Sequence, residues 1–165
     1  RLSVEKGVET LLSAWRELDM PLRILGDGPL RAELEQMAPS NVTFLGHRDR
    51  QAVFEEIAGA AFLVVPSIWY EGFPMTVVEA MALGTPILAS AIGGLQEIIA
   101  DGREGLHFRA GDPQDLQRAV RQARAEPAAL AAMGVGARAR YLDRLSPDSN
   151  SRMLADIYAE VSGAG

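Results

Sequence analysis

Phe62-Leu63-Val64-Val65-Pro66-Ser67 is followed by Ile68-Trp69-Tyr70-Glu71-Gly72-Phe73-Pro74, then Met75-Thr76-Val77-Val78-Glu79-Ala80-Met81-Ala82-Leu83, then Gly84-Thr85-Pro86-Ile87-Leu88-Ala89. Phe62 to Val65 is apolar at every position, which suits a strand buried on both faces, as in parallel sheets. Pro66 ends it, and a polar and aromatic loop follows. Thr76 to Leu83 has helical character, with small Ala80 and Ala82 suited to close packing. Pro86 to Ala89 is a second buried strand. A strand, a helix and a strand within 28 residues read as a parallel βαβ unit.

The same alternation extends in both directions. Upstream, Glu5 to Leu18 carries Val8, Leu11, Leu12, Trp15 and Leu18 at helical spacing. Leu22 to Leu25 is a short apolar run closed by Gly26-Asp27-Gly28-Pro29, a strong turn signal. Leu30 to Met37 reads as a helix, Val42 to Leu45 as a strand closed by Gly46, and Gln51 to Ala58 as a short helix. Downstream, Gly93-Gly94 precedes a helical turn through Ile99, and Leu106 to Phe108 is a last strand. Asp115 to Ala125, Ala128 to Tyr141 and Asn150 to Val161 are expected to be helical. The predicted fold class is α/β, a Rossmann-like parallel sheet with helices on both faces, built as one domain over residues 1–165. In such sheets ligands sit at the carboxyl ends of strands. The loops of interest are therefore Gly26 to Pro29, Gly46 to Arg48, Pro66 to Met75 and Ser90 to Gly94. Arg1 to Lys6 joins them only if a strand precedes it.

Composition excludes several functions. Hydrophobic residues make up 48% and charged residues 23%, the balance of an ordinary globular chain. No apolar run approaches the roughly 18 residues a membrane span needs. There is no cysteine, so disulfide and thiolate chemistry are absent. The formal charge of −6 opposes nucleic-acid binding, which needs a basic face. His47 and His107 are the only histidines, and no Asp-x-Asp pair occurs. No protein-held metal is expected, and a cytoplasmic location fits. The opening Arg1-Leu2-Ser3 shows neither an initiator methionine nor a signal-peptide pattern, which suggests a domain fragment.

Three groups of residues point to chemistry. Glu71 and Glu79 flank the start of a helix whose first backbone N–H groups are available to an anion such as a diphosphate. Carboxylates beside such a site are placed to accept hydrogen bonds from sugar hydroxyls. Thr76-x-x-Glu79 is also a capping-box spacing, so Glu79 equally fits a role in closing the helix start. Glu71 equally fits a solvated loop acid. Arg1 and Lys6 are two cations ahead of a helix, suited to a diphosphate or simply to solvent. Gly26, Gly28, Gly93 and Gly94 permit tight turns, but neither pair matches a dinucleotide fingerprint or a phosphate loop. Trp69 and Tyr70 are candidates for stacking on a ligand, with burial beside the strand end the more frequent fate of such aromatics. No G-x-S-x-G elbow supports a hydrolase.

In combination, Arg1-Leu2-x-x-x-Lys6-Gly7, Gly26-Asp27-Gly28-Pro29-Leu30, Val42-x-Phe44-Leu45-Gly46 and Pro66-Ser67 through Pro86, with the E-x7-E pair Glu71 and Glu79, resemble the C-terminal domain of the family 4, or group 1, retaining glycosyltransferases of GT-B architecture. The resemblance runs from Arg1 to about Phe108, with the helical tail also expected. It implies a nucleoside diphosphate sugar as donor and transfer with retention of anomeric configuration. Arg1 and Lys6 match the pair that holds the diphosphate. Glu71 matches the acid that meets donor-sugar hydroxyls and stabilises charge at the anomeric carbon. Phe73, Pro74 and Met75 match the loop along sugar and phosphate, with Met75 and Thr76 as amide donors because Pro74 has no N–H. Glu79 matches the acid on the ribose hydroxyls, and the Leu45-Gly46-His47 turn matches the resting place of the base. The family needs no metal or other cofactor. It also implies an N-terminal acceptor-binding domain as partner, so the 165 residues alone are expected to bind nucleotide weakly and transfer no sugar. A complete enzyme at the inner face of a membrane, acting on a lipid acceptor, is compatible with the resemblance. So are a glycogen or starch synthase, a nucleotide-sugar epimerase and a non-catalytic binding module.

Overall fold

A computed structural model describes residues 1–70, 72, 74–161 and 163, without the side chain of residue 161. Glu71 and Phe73, both candidate site residues, lie outside the described residues.

The order of elements follows the sequence reading closely. A 3-10 turn at Val4–Lys6 leads into α1 (Val8–Trp15), β1 (Leu22–Leu25), α2 (Arg31–Met37), β2 (Val42–Gly46), α3 (Arg50–Gly59) and β3 (Leu63–Val65). Then come α4 (Met75–Leu83), β4 (Ile87–Ser90), α5 (Gly93–Ile98), β5 (Gly105–Phe108), α6 (Pro113–Ala125) and α7 (Pro127–Arg140). A π-helical turn at Tyr141–Leu145 connects α7 to α8 (Pro147–Val161). The single helix expected from Glu5 to Leu18 is interrupted at Gly7, which adopts φ +65° and separates the 3-10 turn from α1.

All strand pairs are parallel, as the βαβ alternation requires. β1 pairs with β2, from Leu22 opposite Val42. β4 lies between β3 and β5, with Leu88 opposite both Val64 and Leu106. The expected sheet is therefore present in two blocks, β1-β2 and β3-β4-β5.

Two hydrophobic clusters cover the faces of the larger block. One gathers Leu11, Leu12 and Trp15 of α1, Leu116 and Val120 of α6, and Leu88 of β4. The other gathers Val77 and Met81 of α4, Leu95 of α5, Ala137 of α7, and Ile87 and Ala89 of β4. β4 is buried at all four residues because its side chains alternate between these clusters. β3 has the same continuous apolar character, yet all three of its residues are only half-buried. Its expected burial on both faces is thus incomplete in these residues.

Helix termini are set locally. Asp49 caps α3 by accepting from the Ala52 N–H at 2.8 Å. Asp112 caps α6 by accepting from Gln114 and Asp115, with Pro113 as the first helical residue. α4 ends at Gly84, whose left-handed conformation lets the chain turn directly into β4.

Candidate functional site

The carboxyl ends of β1, β2 and β3 are tied together by backbone hydrogen bonds. Leu2 donates to the Asp27 carbonyl at 2.9 Å, and Leu30 donates to the Leu2 carbonyl at 3.2 Å. Residues 1 and 2 therefore lie against the loop that follows β1. Gly26 donates to the Gly46 carbonyl at 2.8 Å, joining the loops after β1 and β2. On the other side, Ile68 donates to the Glu5 carbonyl at 3.0 Å. The segment 1–7 thus bridges the end of β1 and the end of β3.

Gly7 makes that bridge close. A Cβ on residue 7 would fall 2.0 Å from the Pro66 carbonyl oxygen. Its left-handed backbone and this contact both require glycine. Lys6, the last residue of the 3-10 turn, is held beside the Pro66 strand end as a result.

Arg1, Lys6, Ser67, Pro74, Met75 and Thr76 line one cavity of about 810 Å³. The two cations and the start of α4 thus share the lining of one cavity. Both cations also act on one acid. Glu5 sits below the usual carboxylate range because Ser3 donates to it at 2.5 Å and its own backbone N–H helps, with further lowering by the charges of Arg1 and Lys6.

At α4, the capping-box alternative fails. The helix starts at Met75 with Pro74 as its N-cap, and Pro74 has no side-chain acceptor. Thr76 is thus the second helical residue rather than the cap, and Glu79 lies one turn further in. Met75 and Thr76 have no helical carbonyl four residues before them, which leaves their N–H groups directed out of the helix end. Pro74 is buried, whereas Met75 and Thr76 are exposed. Glu79 is half-buried. Leu45 is half-buried near the end of β2, with Gly46 buried and His47 exposed after it. Neither Glu79 nor Leu45 belongs to the lining of the 810 Å³ cavity.

Trp69 and Tyr70 depart from the more frequent fate of strand-end aromatics. They are 70% and 79% exposed. Tyr70 packs against Gly93 at the start of α5, where an added Cβ would lie 2.4 Å from the tyrosine ring. This contact joins the loops after β3 and β4. The Ser90 hydroxyl at the end of β4 is fully buried and has no hydrogen-bond partner among the described residues.

One polar group escaped the sequence reading. Arg31 contacts Asp27 at 3.1 Å and Glu35 at 2.8 Å, and its guanidinium packs against Gly46. Asp27 is held below the usual carboxylate range by the Gly28 N–H and then by Arg31. The i,i+4 spacing of Asp27, Arg31 and Glu35 was the available signal. Among the described residues no three His, Asp or Glu side chains gather as a metal-ligand group. Among the described residues no helix is long and apolar enough to cross a membrane.

Comparison with known proteins gives a consistent result. A family model described as "Glycosyl transferases group 1" matches residues 1–126. An uncharacterised glycosyltransferase of Methanocaldococcus jannaschii is 36% identical over 120 residues, which is 70% of this chain and 34% of that protein. Glycogen synthase of Mycobacterium tuberculosis is 32% identical over 98% of this chain and 40% of its own length. Among solved structures, sucrose-phosphate synthase of Thermosynechococcus elongatus superposes with a TM-score of 0.85 at 28% identity, over 100% of this chain and 44% of that one. Anabaena HepE in complex with UDP-glucose superposes with a TM-score of 0.87 at 24% identity, over 97% of this chain and 47% of that one. The chain spans less than half the length of each of these relatives.

Proposed function

We propose, because this chain belongs to the group 1 glycosyl transferases and has the fold of a GT-B C-terminal domain, that it is the donor-binding part of a larger enzyme. That enzyme moves a sugar from a nucleoside diphosphate to an acceptor and keeps the anomeric configuration. The observation that carries this reading is the common cavity lined by Arg1, Lys6, Met75 and Thr76. Two side-chain cations and the N-terminal amides of α4 together suit the charge of a diphosphate.

In this reading the bond between the anomeric carbon and the diphosphate oxygen breaks, and negative charge grows on the leaving group. Arg1, Lys6 and the amides of Met75 and Thr76 stabilise that growing charge more than the ground state, which is the basis of rate enhancement. The anomeric carbon gains positive character as it departs, and Glu71 is assigned to the sugar hydroxyls and to that carbon. Phe73, Pro74 and Met75 run along sugar and phosphate. Glu79 takes the ribose hydroxyls, whose O–H groups its carboxylate is suited to accept. Leu45 and the following turn carry the base. The acceptor oxygen bonds to the anomeric carbon on the face the diphosphate leaves, and its proton passes to the diphosphate.

HepE, whose structures hold UDP and UDP-glucose, shares this fold, which supports a nucleoside diphosphate sugar as the donor class. The length of the relatives supports a second domain that binds the acceptor. A product assay with candidate acceptors decides the acceptor class.

The test is a calorimetric titration of the complete polypeptide with UDP, GDP and ADP, repeated with Glu79→Ala. One diphosphate is expected to bind, and the substitution to weaken it about tenfold, the loss of one charged hydrogen bond. Absence of binding to all three at millimolar concentration would refute the donor site.

A further inference from the structure

The carboxyl ends of β1 and β2 form a shelf next to Arg1. Leu2 is fixed to the loop after β1 through Asp27 and Leu30, and an added Cβ on Gly26 would lie 3.7 Å from the Arg1 backbone nitrogen. The Gly26–Gly46 hydrogen bond brings the end of β2 to the same place. A ligand held by Arg1 therefore has the ends of β1 and β2 on one side. On the other it has the end of β3 and the start of α4. Gly26 and Gly46 have φ +112° and +69° and carry no side chain, so their backbone can be approached closely.

A guanidinium is anchored on this shelf. Arg31 is the first residue of α2. An added Cβ on Gly46 would lie 2.9 Å from its Nη1 and 3.5 Å from its Nη2, so the guanidinium covers the bare Cα of residue 46. Asp27 accepts from Nη1 at 3.1 Å, and Glu35 accepts from Nε at 2.8 Å. These two carboxylates fix the plane of the group from two directions. A guanidinium has five N–H donors, so two such bonds leave it able to donate to a third acceptor. Its side chain is 34% exposed, which leaves it within reach of a ligand. An ordinary ion pair on a helix surface stabilises a protein little and faces solvent. Arg31 is placed differently, over a glycine at the junction of two strand ends.

We propose that Arg31 selects the base of the donor nucleotide. An N–H of its guanidinium donates to a ring carbonyl oxygen, so that an oxo base, uracil or guanine, is favoured over its amino counterpart, cytosine or adenine. The assignment rests on the donor-binding reading, which puts the diphosphate at Arg1 and the base on Leu45 and the turn after it. Uracil and cytosine have nearly the same shape and differ at position 4, a carbonyl in one and an amino group in the other. The carbonyl offers lone pairs to Arg31. The amino group would set N–H against N–H, and the guanidinium would lose water without gaining an acceptor. Guanine and adenine differ in the same sense at position 6, where arginine is a familiar partner of the guanine oxygen. Asp27 and Glu35 act through Arg31, as positioning residues that hold its donors toward the shelf.

The measurement is a ratio of affinities, taken by calorimetric titration of the complete polypeptide with UDP, CDP, GDP and ADP. The oxo diphosphate that binds is expected to bind about tenfold tighter than its amino counterpart, the effect of one charged hydrogen bond. Arg31→Ala is expected to bring that ratio within about twofold of unity. A purely structural role, tying α2 to the end of β2, would weaken both members of a pair alike and leave their ratio unchanged. Arg31→Met keeps the aliphatic stem while losing every N–H donor, and it replaces the alanine variant if that variant does not fold. A ratio unchanged by the substitution, or CDP or ADP bound as tightly as its oxo counterpart by the unsubstituted polypeptide, would overturn the proposal and leave the donor reading standing. Failure of all four diphosphates to bind would overturn the donor reading, and the role of Arg31 with it.

Discussion

Gly7 rests against the carbonyl oxygen of Pro66 at a distance that leaves no room for a side chain, with a hypothetical Cβ only 2.0 Å away. The oxygen belongs to backbone at the end of β3 and cannot turn aside. Gly7→Ala must therefore bear a left-handed backbone strain and a displaced strand end together. A loss of roughly 2–3 kcal/mol is expected in chemical denaturation. A loss under about 0.5 kcal/mol would mean that the segment 1–7 is not docked on β3.

Thr76 provides a sharp contrast with a helix cap. Loss of a capping side chain costs about 1 kcal/mol. Because α4 begins at Met75 with Pro74 as N-cap, Thr76→Ala is expected to change unfolding free energy by no more than about 0.5 kcal/mol. A drop above about 1 kcal/mol would return Thr76 to the capping role and Glu79 to the capping box.

Tyr70 and Gly93 lend themselves to a double-mutant cycle. Gly93 adopts φ +46°, and an added methyl would meet the Tyr70 ring at 2.4 Å. Gly93→Ala is expected to cost about 1–2 kcal/mol from backbone strain and ring displacement. Tyr70→Ala is expected to cost less than about 0.5 kcal/mol, since the ring is 79% exposed. In the Tyr70→Ala background the penalty of Gly93→Ala should shrink, because the ring is gone and only the backbone strain remains. Additive penalties would show that the two loops are not coupled.

Asp115 links stability to pH. Its carboxyl is held below its ordinary value of 3.8 chiefly by Arg118, which donates to it at 2.6 Å, with partial burial opposing and the Arg109 N–H assisting. A depressed folded-state value means that the contribution is full above 3.8 and is lost as pH falls through the folded value. Asp115→Asn is expected to lower stability by about 1 kcal/mol at neutral pH. The gap to the unsubstituted chain should then close below pH 3.8. Thermal melts from pH 6 to about pH 2 check this, and a gap that stays constant would refute it.

The fold was largely legible because its signals are local. Val8, Leu11, Leu12 and Trp15 repeat at helical spacing, and Leu63 to Val65 and Ile87 to Ala89 are too short and too apolar for surface helices. The break at Gly7 was not legible, since the oxygen that demands glycine there comes from Pro66, some sixty residues away. The exposure of Trp69 and Tyr70 was likewise set by tertiary context rather than by residue type. At the site, Arg1, Lys6, Met75 and Thr76 line one cavity. Spacing alone left Glu79 divided between a cap and a ligand role, and only the start of α4 at Met75 removed the first. Arg31 was overlooked because an Asp–Arg–Glu series at i,i+4 spacing usually marks nothing more than a solvated helix face.

β4 gives Leu88 to one hydrophobic cluster and Ile87 and Ala89 to the other. Neither cluster can melt without stripping a shared wall from its neighbour. Heat or denaturant should therefore meet one transition, with the same midpoint whether it is followed by Trp15 fluorescence on one side or by helix content drawn from both. Intermediates with one half ordered carry an exposed apolar strand and are correspondingly costly. The order in which the chain assembles is constrained as well, because no durable core exists until residues as distant as Leu12, Leu88 and Val120 have met.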